Sequence, residues 1–541
     1  MGRYINPGND GFTAIRKSLY VDKSGLIAFI NKNIGTKDNL ICASRPRRFG
    51  KSYAAQMLCA YYDKNCNSGH LFCDLEIAKD ISYKKHLNKY NVIYLDITWF
   101  ISTAANIKDT VSYLQKEVVQ ELKEIFPETP QDASSLPVAL SHINKSTGNK
   151  FIILIDEWDA LFREATEDEK LQKEYIQLLR GLFKSSQTDK IIEAAYMTGI
   201  LPIKKYGTQS ALTDFREYSM LQPRKLAEYV GFTEKEVKKL CIQYNMDFDE
   251  MKRWYNGYSF NRAKSVYNPN SVIEAVKNEE FGDYWTQTET YEVLKIYIEM
   301  DKHGLKDAII QMLAGNRYTI DTGTFQNDFT NINSKDNVLT LLIHLGYLAY
   351  DANTKTVSIP NEEVRQEFVR AVKSSKYTDV AKIILDSEKL LQDTLNMDEK
   401  AVAKAIEKIH RTISAPIFYN NEQALRSVIH LAYISCTGNY TEIQELPSGN
   451  GYADVVFIPK KNSRFPILVI ELKWNKSAES AIKQIYNNHY PDILASHGSD
   501  MLLIGINYNT STKTHSCKIE KFPLDFGTDS GYNIYATRWH N

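Results

Sequence analysis

Three groups of residues in this 541-residue chain combine types and spacings that can do chemistry. The first is Ala43-Ser44-Arg45-Pro46-Arg47-Arg48-Phe49-Gly50-Lys51-Ser52, set between an apolar run beginning at Asn39 and a helix-compatible segment from Tyr53 to Tyr62. Strand, loop and helix in that order let backbone N–H groups and the positive helix end wrap a triphosphate. Lys51 would neutralise the β/γ oxygens and the Ser52 hydroxyl would reach Mg²⁺. Arg45 stands where the general pattern G-x-x-x-x-G-K-[ST] has its first glycine, and Pro46 has no N–H to donate. Arg45, Arg47 and Arg48 are therefore expected to supply positive charge around the phosphates in place of the lost backbone donors.

The second group ends an apolar run: Phe151-Ile152-Ile153-Leu154-Ile155-Asp156-Glu157. Charge is costly inside a central strand, so an acidic pair belongs where the carboxyl end of the strand opens into the ligand crevice of an α/β sheet. There Asp156 would hold the Mg²⁺ shell through water, and Glu157 would orient the attacking water. Helix capping is the alternative role for either carboxylate.

The third group is Asp454, Glu471 and Lys473. Two β-rich runs, Gly451–Ile458 and Pro466–Trp474, flank a turn-forming stretch from Pro459 to Arg464. A hairpin centred between Asn462 and Ser463 sets position 454 opposite 471, and Lys473 shares the face of Glu471 because it lies two residues on. Two converging carboxylates beside a lysine suit a divalent metal, Mg²⁺ or Mn²⁺, next to a group that positions water. That is the logic of metal-assisted phosphodiester hydrolysis. An exposed ion pair on an amphipathic strand is the plainer alternative.

The elements that must position these groups follow a recognisable order. Strands are expected at Asn39–Ala43, Asn91–Thr98, Phe151–Ile155 and Ile191–Gly199, separated by helices, as in NTPases that insert a strand between the phosphate-loop strand and the acidic one. Thr198, at the end of the fourth run, is either a γ-phosphate sensor or a helix N-cap. Gly25–Ile30 reads as an amphipathic helix packed beside the nucleotide site. From about residue 222 the pattern turns helical. Thr233 and Glu236 make a capping box, Asn268-Pro269 opens a helix, and a short strand falls at Val357–Ile359. The aromatic cluster Trp254, Tyr255, Tyr258, Phe260 and Tyr267 has no basic stripe beside it and is read as packing rather than as a base-stacking platform.

Bulk properties limit what the chain can be. Its 66 basic and 66 acidic side chains cancel, so a site for nucleic acid must be local. Seven scattered cysteines without Cys-x-x-Cys point to reduced thiols, and Cys66, His70 and Cys73 lack a fourth zinc ligand. Neither a targeting signal nor a bilayer-length apolar run is visible, so a cytoplasmic protein with no membrane association is expected.

Tyr20-Val21-Asp22-Lys23, the Arg-Pro-Arg-Arg-Phe-Gly-Lys-Ser string and Leu154-Ile155-Asp156-Glu157-Trp158-Asp159 resemble the bacterial AAA-ATPase-like family, whose members often carry a C-terminal PD-(D/E)XK nuclease-like domain. Thr198-Gly199-Ile200-Leu201, Trp254-Tyr255-Asn256-Gly257-Tyr258 and Tyr267-Asn268-Pro269 are similar to later motifs of that family. The resemblance implies ATP binding through Arg47, Arg48, Phe49, Gly50, Lys51, Ser52, Asp156 and Thr198, with hydrolysis through Glu157. Asp454 followed by Glu471-Leu472-Lys473 resembles the nuclease core, with Ala453 in place of the usual proline. Glu422 is similar to the acidic residue on the preceding helix, Glu445 to one on the feeding strand, and Gln484 to a glutamine on the following helix.

The expected fold is α/β: an AAA-like P-loop ATPase domain with a parallel sheet (1–220), a helical lid or linker (221–410) and a restriction-endonuclease-like domain (411–541). The expected function is ATP hydrolysis coupled to metal-dependent cleavage of nucleic acid, DNA more than RNA, with an oligomer compatible with the sequence. The alternative is a nucleotide-switched binding or signalling ATPase whose nuclease-like domain holds a partner without cutting it.

Overall fold

The computed structural model describes residues 2–184, 186–203, 212–260, 265–285, 290–300, 302–325, 332–375, 378–413, 422–448, 451–460, 465–494 and 500–522. The chain forms two compact units, residues 1–306 with 317–368, and residues 307–316 with 369–541, so the segment 221–410 is shared between them.

The first unit is built on a sheet of β1 (Leu40–Ser44), β2 (Asn91–Asp96), β3 (Phe151–Asp156), β4 (Ile192–Gly199) and β5 (Arg216–Tyr218), in the order β2-β3-β4-β1-β5. The pairings are parallel throughout. Alternate residues feed two separate cores. Cys42, Ile93, Ile153, Ile155 and Met197 pack on one face, and Ile41, Ala43, Ile152, Leu154 and Tyr196 on the other. A strand covered on both faces needs apolar residues at every position, which is why these runs are continuous rather than alternating. β4 lies between the loop strand and the acidic strand, so Thr198 comes beside both Ala43 and the end of β3.

Two details differ from the sequence reading. The second strand stops at Asp96, whose carboxylate accepts from Trp99 N at 3.1 Å and caps a helix over Ile97–Thr103. β5 was not anticipated; it is three residues long and its Arg216 and Glu217 are not buried, so it carries no apolar run to betray it.

α1 (Gly25–Asn31), α2 (Lys51–Tyr62) and α3 (Ala160–Glu164) pack on this sheet, and α4 (Glu234–Tyr244) and α5 (Pro269–Asn278) share a separate apolar cluster. The Thr233–Glu236 capping box forms, and Asn268 caps α5 with Pro269 at its first turn. Trp254, Tyr255, Tyr258, Phe260 and Tyr267 are all buried, as core packing requires.

In the second unit β6 (Tyr440–Ser448), β7 (Gly451–Pro459), β8 (Ile467–Trp474), β9 (Met501–Asn509) and β10 (Thr514–Phe522) form a sheet in sequence order. Only β8 and β9 pair in parallel, and the connection between them carries a helix, α7 (Ala478–Asn487), with α6 (Glu422–Ala432) preceding the sheet. Val455 pairs with Ile470, Val456 with Val469 and Phe457 with Leu468, the register expected of the hairpin. Its turn, at 461–464, lies outside the described residues.

Candidate functional site

A cleft of about 650 Å³ in the first unit is lined by Arg47 through Ala54, Glu157 and Arg163. Gly50 takes φ 83° and leads directly into α2, a conformation that costs a glycine little. Lys51 is buried; its Nζ donates to the Pro46 carbonyl at 2.9 Å and lies 3.6 Å from Glu157 Oε1. Ser52, Arg47 and Arg48 line the same space. Phe49 turns inward, edge-on to Tyr258 at 5.4 Å, and the Tyr258 hydroxyl donates to the Gly346 carbonyl at 2.5 Å. Gly346 in turn lies under Pro46, where a Cβ would come within 2.7 Å of the proline ring.

Arg45 does something other than expected. It is fully buried, lines no part of the cleft, and donates from Nη1 to the carbonyls of Ser44 and Tyr218, both at 2.9 Å, with its guanidinium 5.4 Å from the Phe260 ring. Burial lowers its pKa to about 10. The residue in the first-glycine position therefore ties the loop to β5, while Arg47, Arg48 and Lys51 of the loop, with Arg163, bring positive charge to the cleft.

At the end of β3, Asp156 Oδ1 accepts from the Thr198 hydroxyl and from Glu157 N, and Oδ2 accepts from the Tyr94 hydroxyl at 3.3 Å. Thr198 is thus still within β4 and faces the acidic strand. Glu157 sits at φ 52°, a left-handed conformation that costs a side-chain-bearing residue about 1 kcal/mol or more. The turn puts its carboxylate between two cations, Lys51 and the Arg163 Nη2 at 2.5 Å. Burial opposes ionisation of Glu157, but Lys51, Arg163 and Arg47 outweigh it and hold the carboxyl below its usual range. Asp159 Oδ2 accepts from Ile200 N at 3.1 Å and Leu201 N at 2.9 Å, and lies 3.2 Å from Arg163 Nε.

The rest of the cleft wall escaped the sequence reading. Leu19, Val21, Met57, Phe232 and Ile273 give it an apolar side suited to a nucleobase. Lys23 fastens that wall, reaching Glu236 at 2.6 Å and the Glu228 carbonyl at 2.9 Å, so the capping-box glutamate also anchors the Tyr20–Lys23 motif.

In the second unit the ladder between β7 and β8 stops at Val455, and the Asp454 carboxylate takes over: Oδ2 accepts from Leu472 N at 2.9 Å. Oδ1 accepts from Arg426 Nη2 of α6 at 2.8 Å. Glu471 Oε1 accepts from Lys473 Nζ at 3.0 Å, while Oε2 is buried with no hydrogen-bond partner. Burial and the nearby Asp454 push Glu471 up to about 7, against the pull of Lys473. The Tyr490 hydroxyl donates to the Tyr452 carbonyl at 2.7 Å and accepts from Asn488 Nδ2 at 2.8 Å. Asp454, Glu471 and Lys473 therefore converge, and Gln484 lies on α7. Glu422 and Glu445 lie on α6 and β6, with side chains outside the described residues. Arg426 was missed, although its position one turn after Glu422 marks the same helix face.

Cys66 and Cys73 are free thiols, Cys73 exposed, and among the described residues no cluster of three metal-binding side chains forms. Nor is any described helix long and apolar enough to cross a membrane.

A family model for predicted AAA-ATPases matches residues 8–208, and one for the PD-(D/E)XK nuclease superfamily matches residues 420–517. An uncharacterized protein from the vnfD 5′ region of Azotobacter chroococcum mcd 1 is 20% identical over 527 residues, covering 94% of this chain and 96% of that one. Among solved structures, AMPPCP-bound DnaA from Aquifex aeolicus aligns at 13% identity and TM-score 0.23 over 55% of this chain and 70% of its own. The Aeropyrum pernix ORC2 protein aligns at 11% and 0.24 over 65% and 94%. Scores that low carry no argument to this chain. The family matches fall on the loop with its acidic strand and on the carboxylate–lysine hairpin, so the chain carries an AAA-ATPase-like domain and a PD-(D/E)XK nuclease superfamily domain.

Proposed function

We propose that the protein hydrolyses ATP in the Lys51 cleft and cleaves nucleic acid, DNA in preference to RNA, at Asp454, Glu471 and Lys473, acting in the cytoplasm. The observation that carries the nuclease half is the buried, unpartnered Oε2 of Glu471 beside Asp454. A carboxylate oxygen shut away from water without a donor fits a divalent cation as its partner. Mg²⁺ or Mn²⁺ held by Asp454 and Glu471 would supply charge for a phosphodiester oxygen and for water. Lys473, fixed on Glu471, brings a proton donor to the same face.

The ATPase half rests on the loop, the acidic strand and β4 meeting at one cleft. Lys51 neutralises phosphate charge and the apolar wall takes the base. Ser52 and Asp156 suit Mg²⁺, Asp156 through water because both of its oxygens already accept hydrogen bonds. Glu157 orients the attacking water once freed from its cations.

One observation favours the second reading, in which the nuclease-like unit recognises a partner without cutting: Arg426 already neutralises Asp454. Incubation of the full chain with plasmid DNA or RNA and Mg²⁺ or Mn²⁺ separates the two. Cleavage by the wild type that Asp454→Ala abolishes supports the enzyme; identical behaviour of both proteins on both substrates removes the nuclease half. For the ATPase half, Glu157→Gln should stop phosphate release, and unchanged release would remove Glu157 as the catalytic residue.

A further inference from the structure

We propose that Arg163 is a ligand for the terminal phosphate of ATP, supplied from within the chain, and that Glu157 stands in for that phosphate between Arg163 and Lys51. The proposal rests on the ATP reading above and extends it to how the site tells a triphosphate from a diphosphate.

The geometry is that of two cations sharing one anion. Glu157 Oε1 faces Lys51 Nζ at 3.6 Å and Oε2 faces Arg163 Nη2 at 2.5 Å. Both cations line the nucleotide cleft, and the Arg163 side chain is only 13% exposed. A guanidinium in such surroundings is matched in shape and charge to a two-oxygen anion, carboxylate or phosphoryl alike. Lys51, at the start of α2 behind Gly50, stands where a phosphate chain is cradled. An anion bridging Lys51 to Arg163 therefore occupies the end of that chain.

Arg163 is also aimed before any ligand arrives. It sits one turn after Asp159 on α3, and Asp159 Oδ2 lies 3.2 Å from its Nε. The same oxygen accepts the backbone N–H groups of Ile200 and Leu201, so Asp159 is fixed to the chain that leaves β4. Arg163 thus keeps one anchor when its other partner changes. A terminal phosphate carries more negative charge than a carboxylate and would displace Glu157 from both cations. The displaced carboxylate is then available to water, which couples arrival of the triphosphate to release of the proposed base. A diphosphate stops one phosphate short and leaves Glu157 where it is.

The test is calorimetric binding of ADP and of the non-hydrolysable AMPPCP, each with Mg²⁺, to the full chain. Arg163→Ala should weaken AMPPCP at least tenfold and leave ADP within about twofold, with Arg163→Lys in between. Glu157→Gln removes the competing charge and should raise the preference for AMPPCP over ADP severalfold. An Arg163→Ala protein that loses both ligands equally, or neither, overturns the proposal. Should that variant fail to fold, an unchanged preference in Glu157→Gln overturns it instead. If the wild type binds neither nucleotide, the ATP reading itself fails. If it binds both and the preference does not respond to these variants, only the role of Arg163 fails.

Discussion

The chain carries two pairs of carboxylates, and it brings each pair together by different means. Asp156 and Glu157 are neighbours in sequence, separated in role by one backbone turn: the left-handed conformation of Glu157 sends its side chain to Lys51 and Arg163 while Asp156 stays with Thr198 and Tyr94. Asp454 and Glu471 are distant in sequence and are joined by strand register. Their surroundings also differ in sign. Around the first pair, cations gather on a cleft and leave a receptor for anions. Around the second, a buried carboxylate oxygen goes unpaired, which on the proposed function would receive a cation. On the proposed function, one chain of zero formal net charge would hold a polyphosphate and a divalent metal at separate places.

The widest separation between the sites is expected from Lys51→Ala. Removing the only lysine of the loop should cut ATP affinity and turnover by about a hundredfold or more, with Mn²⁺ binding to the second unit unchanged. Glu471→Gln should do the reverse, lowering Mn²⁺ affinity at least tenfold by calorimetry and sparing ATP. A loss of both ligands in either variant would break the distinction. Arg426→Gln sharpens it: freeing Asp454 Oδ1 from its guanidinium should raise Mn²⁺ affinity severalfold, whereas weaker binding would make Arg426 a support of the site rather than a competitor.

A smaller effect comes from Gly346, at φ 91° beneath Pro46. Gly346→Ala should destabilise the first unit by about 1–3 kcal/mol in thermal unfolding and weaken ATP without touching Mn²⁺.

A further expected signal is a pH slope in the stability of the first unit. Glu363 is buried and pushed up to about 8 by burial, against hydrogen bonds from Trp285 N, Ser271 and Tyr284 N. Below the ordinary carboxyl range both folded and unfolded states hold the proton. As pH rises from about 4.5 to 8 the unfolded chain loses it first, so stability falls across that window by up to a few kcal/mol. Glu363→Gln should flatten the slope measured by thermal unfolding; an equal slope in both proteins would assign it to other groups.

Much of this arrangement is legible in the residues. Continuous apolar runs are enough to locate β1, β3 and β4 because a doubly covered strand tolerates nothing else, and the hairpin symmetry about Asn462 and Ser463 is enough to align Asp454 with Glu471. What escapes is set by tertiary contact. Arg163 and Arg426 are ordinary helical arginines until the fold brings Glu157 and Asp454 to them. Tyr94 reads as a strand former and becomes a hydrogen-bond donor only through the pairing of β2 with β3. Arg45 looks like a phosphate ligand by its place in the loop, yet β5, too short to leave a pattern, draws it to the Tyr218 carbonyl.

The most direct test of two independent receptors of opposite sign is a crossed calorimetric titration of the wild type, Lys51→Ala and Glu471→Gln with AMPPCP·Mg²⁺ and, separately, with Mn²⁺. The expected result is that Lys51→Ala loses only the nucleotide and Glu471→Gln only the Mn²⁺. Mn²⁺ binding that survives unchanged in Glu471→Gln, or a nucleotide site untouched by Lys51→Ala, would contradict it.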